Sequence, residues 1–353
     1  MRNMGLVLVS SLLASTIGCG PAVRMKVLQP ADIAVPIHIQ TVAVLDRSKA
    51  KNVGQAVLGV IEGALTGEEI GADTEGRSEA VRALRDLLVE SPRFEIVTPN
   101  IDNKGMDSSL FDSQMDWETA KRICKQVACD GIVALEAFDS DTSVDIDVSE
   151  YTEEENGKEV TRKKYNAERW LQVLTAWRFY DVTNGSVVDD KRDMAYDTSW
   201  SSTGDTEREA RNGLESQTGY ITEMGRKSGA GYAARIAPVY VWVVRRLYKG
   251  GDPELKDAAM LTRSDQWDKA TAKWRELAKS GSSTKIKARA LHNLAIYLER
   301  AGDLEGAVEK AQAAVNAGGK KRSVRYVGTL RSRQADAARL QEQLAKPKAE
   351  EKK

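Results

Sequence analysis

At 353 residues the chain exceeds what one hydrophobic core normally accommodates, so two domains are expected. Hydrophobic residues make up 41%, charged residues 29%, and 52 Lys+Arg balance 52 Asp+Glu. This excludes a polytopic membrane chain, a disordered chain and the global basicity of a dedicated nucleic-acid binder. With only His38 and His292 available, a His-rich metal site is excluded and Ser-His-Asp or Cys-His catalysis is a poor candidate.

The chain begins with one basic residue, Arg2, runs uncharged from Gly5 to Ile17 and reaches Gly18-Cys19. A basic start, a short apolar run and small residues at its end make residues 1–18 a secretory signal peptide. At a rise of ~1.5 Å per residue the apolar run covers roughly 20 Å, short of a ~30 Å hydrocarbon core. The segment Ser15-Thr16-Ile17-Gly18-Cys19 resembles the lipobox of bacterial lipoproteins, with Thr16 standing where Leu is usual. The resemblance implies cleavage between Gly18 and Cys19 and acylation (palmitate-type chains) of Cys19, a stable anchor when several chains share one residue. Gly20, rather than Asp, implies sorting to the outer membrane, facing the periplasm.

Residues 19–36 hold three prolines and are expected to form a lipid-anchored tether. His38–Leu45 has the apolar density of an interior strand. A Gly-punctuated, weakly helical segment follows, then a firm helix in which Val81, Leu84, Leu87 and Leu88 share a face and Pro92 ends the run. Phe94–Pro99 reads as a strand. Asp116 is placed to cap a helix over Trp117–Ala128 that buries Ala120, Ile123 and Val127. Cys124 and Cys129 fall in this helical context, where five residues advance the chain about 7.5 Å and turn it about 140°. They are therefore expected as two buried thiols rather than a disulfide, and C-x4-C without a second pair is not a zinc pattern.

Asp130–Phe138 predicts a third strand. After a long excursion, Trp170–Tyr180 leads to Asn184-Gly185, a strong hairpin signal, from which Val187–Trp200 returns. A helical stretch from Thr206 to Tyr248 follows, expected to break near Gly225–Gly231 and Pro238. The β-α-β-α-β-β-β order predicts an α/β layer domain with a mixed sheet over residues 37–250.

Four motifs occur in order: V-A-V-L-D-R-S, L-L-V-E-S-P-R-F-E-I-V-T, C-D-G-I-V-A-L-E-A-F and V-L-T-A-W-R-F-Y-D-V-T-N-G-S-V-V. In these the chain resembles uncharacterised bacterial lipoproteins whose α/β domain is similar to those of the curli-secretion and penicillin-binding-protein-activator lipoproteins. The N-terminal domain of TolB is a more distant relative. The resemblance covers roughly residues 38–250 and implies a fold, with no catalytic residue among its motifs. Curli channels insert amphipathic hairpins into the outer membrane; the matching excursion here is too charged to face lipid, so a pore is not expected.

Beyond Gly251 the chain becomes self-similar. Ala295, Gly302, Ala307, Ala311 and Ala314 fall at offsets matching the tetratricopeptide repeat (TPR), in which small residues sit where two helices touch. Leu294 and Leu298 fill the larger positions, and Ala258, Leu261, Ala270, Trp274 and Leu277 repeat the scheme upstream. The expected architecture is α+β / α/β: a mixed-sheet layer domain followed by an all-α TPR-like domain over residues 251–345, with a basic disordered tail at 346–353. Arg289, Asn293 and Arg300 are candidates for a concave partner-binding face.

Other candidate chemistry is weak. Asp139–Glu150 nearly spells a calcium loop, but Val144 occupies the position that demands Gly, and its acids alternate with Val144, Ile146 and Val148 as on a half-exposed strand. Lys227–Tyr232 is Gly-rich without the spacing of a phosphate loop and reads as a helix break. Trp267 and Trp274 read as a core stripe. Residues 320–353 carry eleven Lys+Arg against four Asp+Glu, whereas 139–159 carry nine acids against one Lys. The net neutrality is thus a cancellation; the basic stretch reads as a solvated helix with a frayed tail or, alternatively, as a patch for anionic polymers or for the acidic hairpin of another copy. The expected function is non-enzymatic: an outer-membrane lipoprotein acting as scaffold or adaptor, with envelope proteins as partners and no nucleic acid, small-molecule substrate, metal or cofactor. The alternative is an accessory or activator lipoprotein of an export or cell-wall synthesis machine. A homo-oligomer is compatible with both.

Overall fold

The computed structural model describes residues 22–48, 71–99 and 114–345. The signal, the Cys19 lipobox, the Gly-punctuated segment after the first interior strand and the basic tail lie outside them. The chain divides into two compact units, Leu28–Tyr240 with the residues from Arg339, and Val241–Ala338 with the residues up to Val27.

The first strand, β1 (Ala22–Gln29), corrects the expectation of a tether. Val23, Met25 and Val27 are buried and alternate with exposed Arg24 and Lys26. This period of two is plain in the residues but was masked by the prolines that follow.

The sheet unit then runs β2 (Thr41–Asp46), α1 (Ala72–Glu90), β3 (Glu95–Val97), α2 (Trp117–Val127), β4 (Gly131–Glu155), β5 (Lys158–Asp181) and β6 (Ser186–Gly204). The strands lie in the order β3-β2-β4-β5-β6, with β2 parallel to β3 and β4, and the last three antiparallel. This is the mixed sheet that the element order predicts. Val42, Ala43, Val44 and Leu45 of β2 are all buried, as on a strand covered on both faces. Asp139–Glu150 lies within β4, paired residue for residue with β5, so the strand reading holds over the calcium loop.

A short helix, α3 (Glu207–Asn212), and a long one, α4 (Thr218–Ile236), follow in this unit. Contrary to expectation, α4 runs unbroken through Gly225–Gly231 and stops just before Pro238. Its glycines serve contact rather than flexibility: a Cβ on Gly225 would sit 2.1 Å from the Gly76 carbonyl oxygen, and one on Gly229 1.9 Å from that of Ala80. The backbones of α1 and α4 therefore touch, and α1 buries its small residues Gly76, Ala80 and Ala83 with Leu84 and Leu88, leaving Val81 and Leu87 only partly covered.

The cysteines also depart from expectation: Cys124 and Cys129 form a disulfide with Cα atoms 4.5 Å apart. A continuous helix would have kept them separate, but α2 ends at Val127. Ala128 adopts a left-handed conformation (φ 54°), and the Cys129 N–H donates to the Cys124 carbonyl at 3.1 Å. The helix end thus folds Cys129 back over the last turn. Asp116 caps the start, its side chain accepting from the Thr119 N–H.

In the helical unit, β7 (Val239–Arg246) replaces the expected end of the helical stretch and pairs with β1. Val-Tyr-Val-Trp-Val-Val is β-branched and aromatic throughout, a strand composition. Five helices follow: α5 (Pro253–Leu261), α6 (Trp267–Ser280), α7 (Thr284–Arg300), α8 (Leu304–Asn316) and α9 (Lys321–Gln343). Successive helices from α5 to α8 pack pairwise. Ala258, Ala270, Trp274, Leu277, Leu294, Ala295, Ala307 and Ala311 share one core with Val23, Met25 and Val27 of β1; Leu261 and Leu298 pack against it half-buried, and Ala314 is buried. Gly302 is the exception. It is exposed at φ 86° with nothing near its Cβ position, so it ends α7 as a left-handed turn rather than admitting a neighbouring helix.

Candidate interaction surface

The helical unit holds a small pocket of about 50 Å³ lined by Tyr248, Lys285, Ala288, Arg289, Gly318, Gly319, Lys320 and Ser323. Lys285 and Arg289 stand one turn apart on α7, and Lys320 immediately precedes α9. Three cations thus line the opening, and no carboxylate does. Arg322 adds a fourth close by, its guanidinium 4.6 Å from the centre of the Tyr248 ring; Arg289 lies 5.5 Å from the same ring. Tyr248 is an aromatic wall held by cation–π contact as well as by packing.

The position of Tyr248 is set by Asn293, which is fully buried. Its carboxamide oxygen accepts from the Tyr248 N–H and its amide nitrogen donates to the Tyr248 carbonyl, both at 2.8 Å. Asn293 therefore cannot line an open face, which corrects its assignment from the sequence. One residue earlier on α7, His292 is buried between Tyr248 and Tyr326, with its Nδ1 3.2 Å from the Ser323 hydroxyl. Burial, and then the nearby Arg322 charge, push its pKa down to about 4, so the ring is neutral beneath the cationic pocket.

Of the other two candidates, Arg289 belongs to the pocket and also donates to the Gly250 carbonyl. Arg300 does not. Its guanidinium stacks 4.5 Å from the Trp267 ring and pairs with Asp265 at 3.4 Å. Eleven residues on one helix place it roughly 16 Å from Arg289. The three do not form one face. Lys285 and Lys320 were missed because one lies on α7 and the other in the turn before α9, and nothing in local spacing joins them.

Farther along α7, α9 is fastened by a buried carboxylate. Glu299 accepts from Arg245 Nε and Nη2 at 2.8 Å each, from Arg333 Nη1 at 2.7 Å and from the Tyr326 hydroxyl at 2.6 Å. Burial alone would raise its pKa, but hydrogen bonds from Arg245, Tyr326 and Arg333 hold it below the usual carboxylate value. Among the described residues no group of three or more His, Cys, Asp or Glu could hold a metal ion, and no helix is long and apolar enough to cross a membrane.

Residues 39–248 match the family model described as Domain of unknown function (DUF8603), and residues 256–335 match Domain of unknown function (DUF6340). No curated protein matches the chain. The interval between the two matches falls after β7, whereas packing places most of β7 with the helices.

Proposed function

This chain belongs to the DUF8603 family through residues 39–248, and from that premise we propose that it is a non-enzymatic, lipid-anchored adaptor on the periplasmic side of the outer membrane. Its helical unit binds an acidic segment of an envelope protein. The observation that carries this reading is the pocket: Lys285, Arg289 and Lys320 converge on one small cavity beside an aromatic ring, with no carboxylate in the lining. Clustered cations without internal counter-charge attract anionic partners and orient their approach. The small residues buried at the helix contacts support the likeness to tetratricopeptide repeats, and a disulfide is chemistry of an oxidising compartment such as the periplasm. The lipobox at Cys19, the resemblance to the curli-secretion and activator lipoproteins and the outer-membrane sorting residue belong to the same proposal.

The test is crosslinking in intact envelopes followed by capture of the full-length protein. The wild type is expected to retain a specific partner that Lys285→Glu/Lys320→Glu loses and that high salt weakens. Recovery of the wild type only as a solitary monomer, or equal capture by the charge-reversed protein, would overturn the reading.

A further inference from the structure

Trp242, 65% exposed, is the most open of the large apolar side chains among the described residues, and Val244 two positions on is 50% exposed. Alternation along β7 turns Val241 and Val243 toward the helical core and sets Trp242 and Val244 on the opposite side. On β1 the same alternation buries Val23, Met25 and Val27 and turns Arg24 and Lys26 outward. Because β1 pairs with β7, these outward side chains share one face, and the Lys26 ammonium lies 5.7 Å from the centre of the Trp242 ring.

The chain itself says what this face meets. Cys19 precedes Ala22 by three residues, so even fully extended backbone separates the acyl site from the start of β1 by only about 11 Å. A face held on so short a leash meets the bilayer at high effective concentration, and a weak second contact is then occupied. Its composition fits that surface. An indole sits at the headgroup level, with its apolar body toward the acyl chains, while guanidinium and ammonium groups reach lipid phosphates.

We propose that the outer face of the β1–β7 ribbon rests on the phospholipid surface, with Trp242 and Val244 in the headgroup layer and Arg24 and Lys26 on lipid phosphates. The proposal rests on reading Cys19 as the acylated N-terminus. It replaces a simple tether with a two-point attachment, one covalent and one interfacial, in which the acyl chains hold the protein to the bilayer and the ribbon sets its orientation there.

Full-length protein purified from envelopes and reconstituted in phosphatidylethanolamine/phosphatidylglycerol vesicles provides the test. A nitroxide is placed at Trp242→Cys, the one reactive thiol when Cys19 is acylated and Cys124–Cys129 are bridged. Power saturation then compares collisions with oxygen, which partitions into lipid, and with a water-soluble nickel chelate. The oxygen-to-nickel ratio is expected to be several-fold higher at 242 than at Tyr151→Cys on β4, and to fall when Arg24→Glu/Lys26→Glu is added. Val244→Cys gives the same reading should the first variant fold poorly. A nickel-dominated ratio in protein that floats with the vesicles overturns the lipid face and leaves the anchor standing. Protein that does not float and carries an unmodified Cys19 by mass overturns the anchor, and the face with it.

Discussion

In the sheet unit, Glu136 stands at a bulge of β4 and meets Arg47 at 2.6 Å, Arg178 at 3.7 Å and the Tyr180 hydroxyl. In the helical unit, Glu299 meets Arg245, Arg333 and Tyr326. The two units thus assemble the same set of groups, one carboxylate among two arginines and a tyrosine, although Arg47 and Arg178 are buried and Arg245 and Arg333 only partly so. What differs is what each set joins. Arg47, Glu136, Arg178 and Tyr180 all sit on or beside β2, β4 and β5, which main-chain hydrogen bonds already hold together. The Glu299 set joins β7, α7 and α9, which share no ladder, and its carboxylate side chain has no exposed surface, against 10% for Glu136. A buried ion network matters most where no ladder of main-chain hydrogen bonds fixes the elements it connects.

The largest expected effect therefore separates these two residues. Glu299→Gln leaves the part-buried guanidinium groups of Arg245 and Arg333 without their fully buried counter-charge and should cost about 3–5 kcal/mol. Glu136→Gln, on a framework that remains intact, should cost about 1–3 kcal/mol. Urea unfolding followed by hydrogen exchange on peptides of each unit would measure both. Equal losses would break the comparison.

Acid should act next, and on the helical unit. The His292 pKa is about 4 when folded against an ordinary 6.5. Between those values the unfolded chain binds the extra proton and the folded one does not, so stability falls as pH drops from about 6.5 toward 4. The loss should reach about 3 kcal/mol. Below that range protonation of Glu299 removes a further contribution, because its folded pKa is depressed and the stability it confers exists only above it. Chemical denaturation at a series of pH values should show this slope, and His292→Asn should flatten it. An unchanged slope in that variant would remove His292 from the account.

The smallest effect belongs to the sheet unit. Reducing Cys124–Cys129, or replacing both by Ser, opens a very short loop and should cost about 2 kcal/mol. Exchange should quicken in α2 and remain unchanged in α5–α9. A response in the helices would show that the units do not unfold separately.

Much of the fold was legible in the residues. Alternation and turn chemistry located the strands of the five-stranded sheet and the Asn184-Gly185 hairpin, and small-residue spacing located the helix contacts of α6–α8. The misreadings share a cause. Gly225 and Gly229 looked like breaks because a glycine's local freedom is visible, whereas the α1 backbone lying against them is not. Cys124 and Cys129 looked unbridgeable because the left-handed turn at Ala128 carries no glycine to announce it. The alternation in β1 and β7 went unread because each strand lies beside segments of another type and finds its partner more than two hundred residues away.

Of the candidate site, Arg289 and the surplus of charge were legible. The basic excess after residue 319 was evident, but Asn293, chosen for a binding face, turned out to be buried scaffolding for Tyr248. By itself the sequence determined the order and type of most elements, the mixed sheet followed by helices, and an uneven distribution of charge, since these follow from local periodicity and composition. Tertiary structure alone decided which cations converge on one pocket, which carboxylates are dry and which face of a two-stranded ribbon stays open. Those outcomes depend on long-range pairing, and no local spacing encodes a contact between β1 and β7 or between α7 and the start of α9.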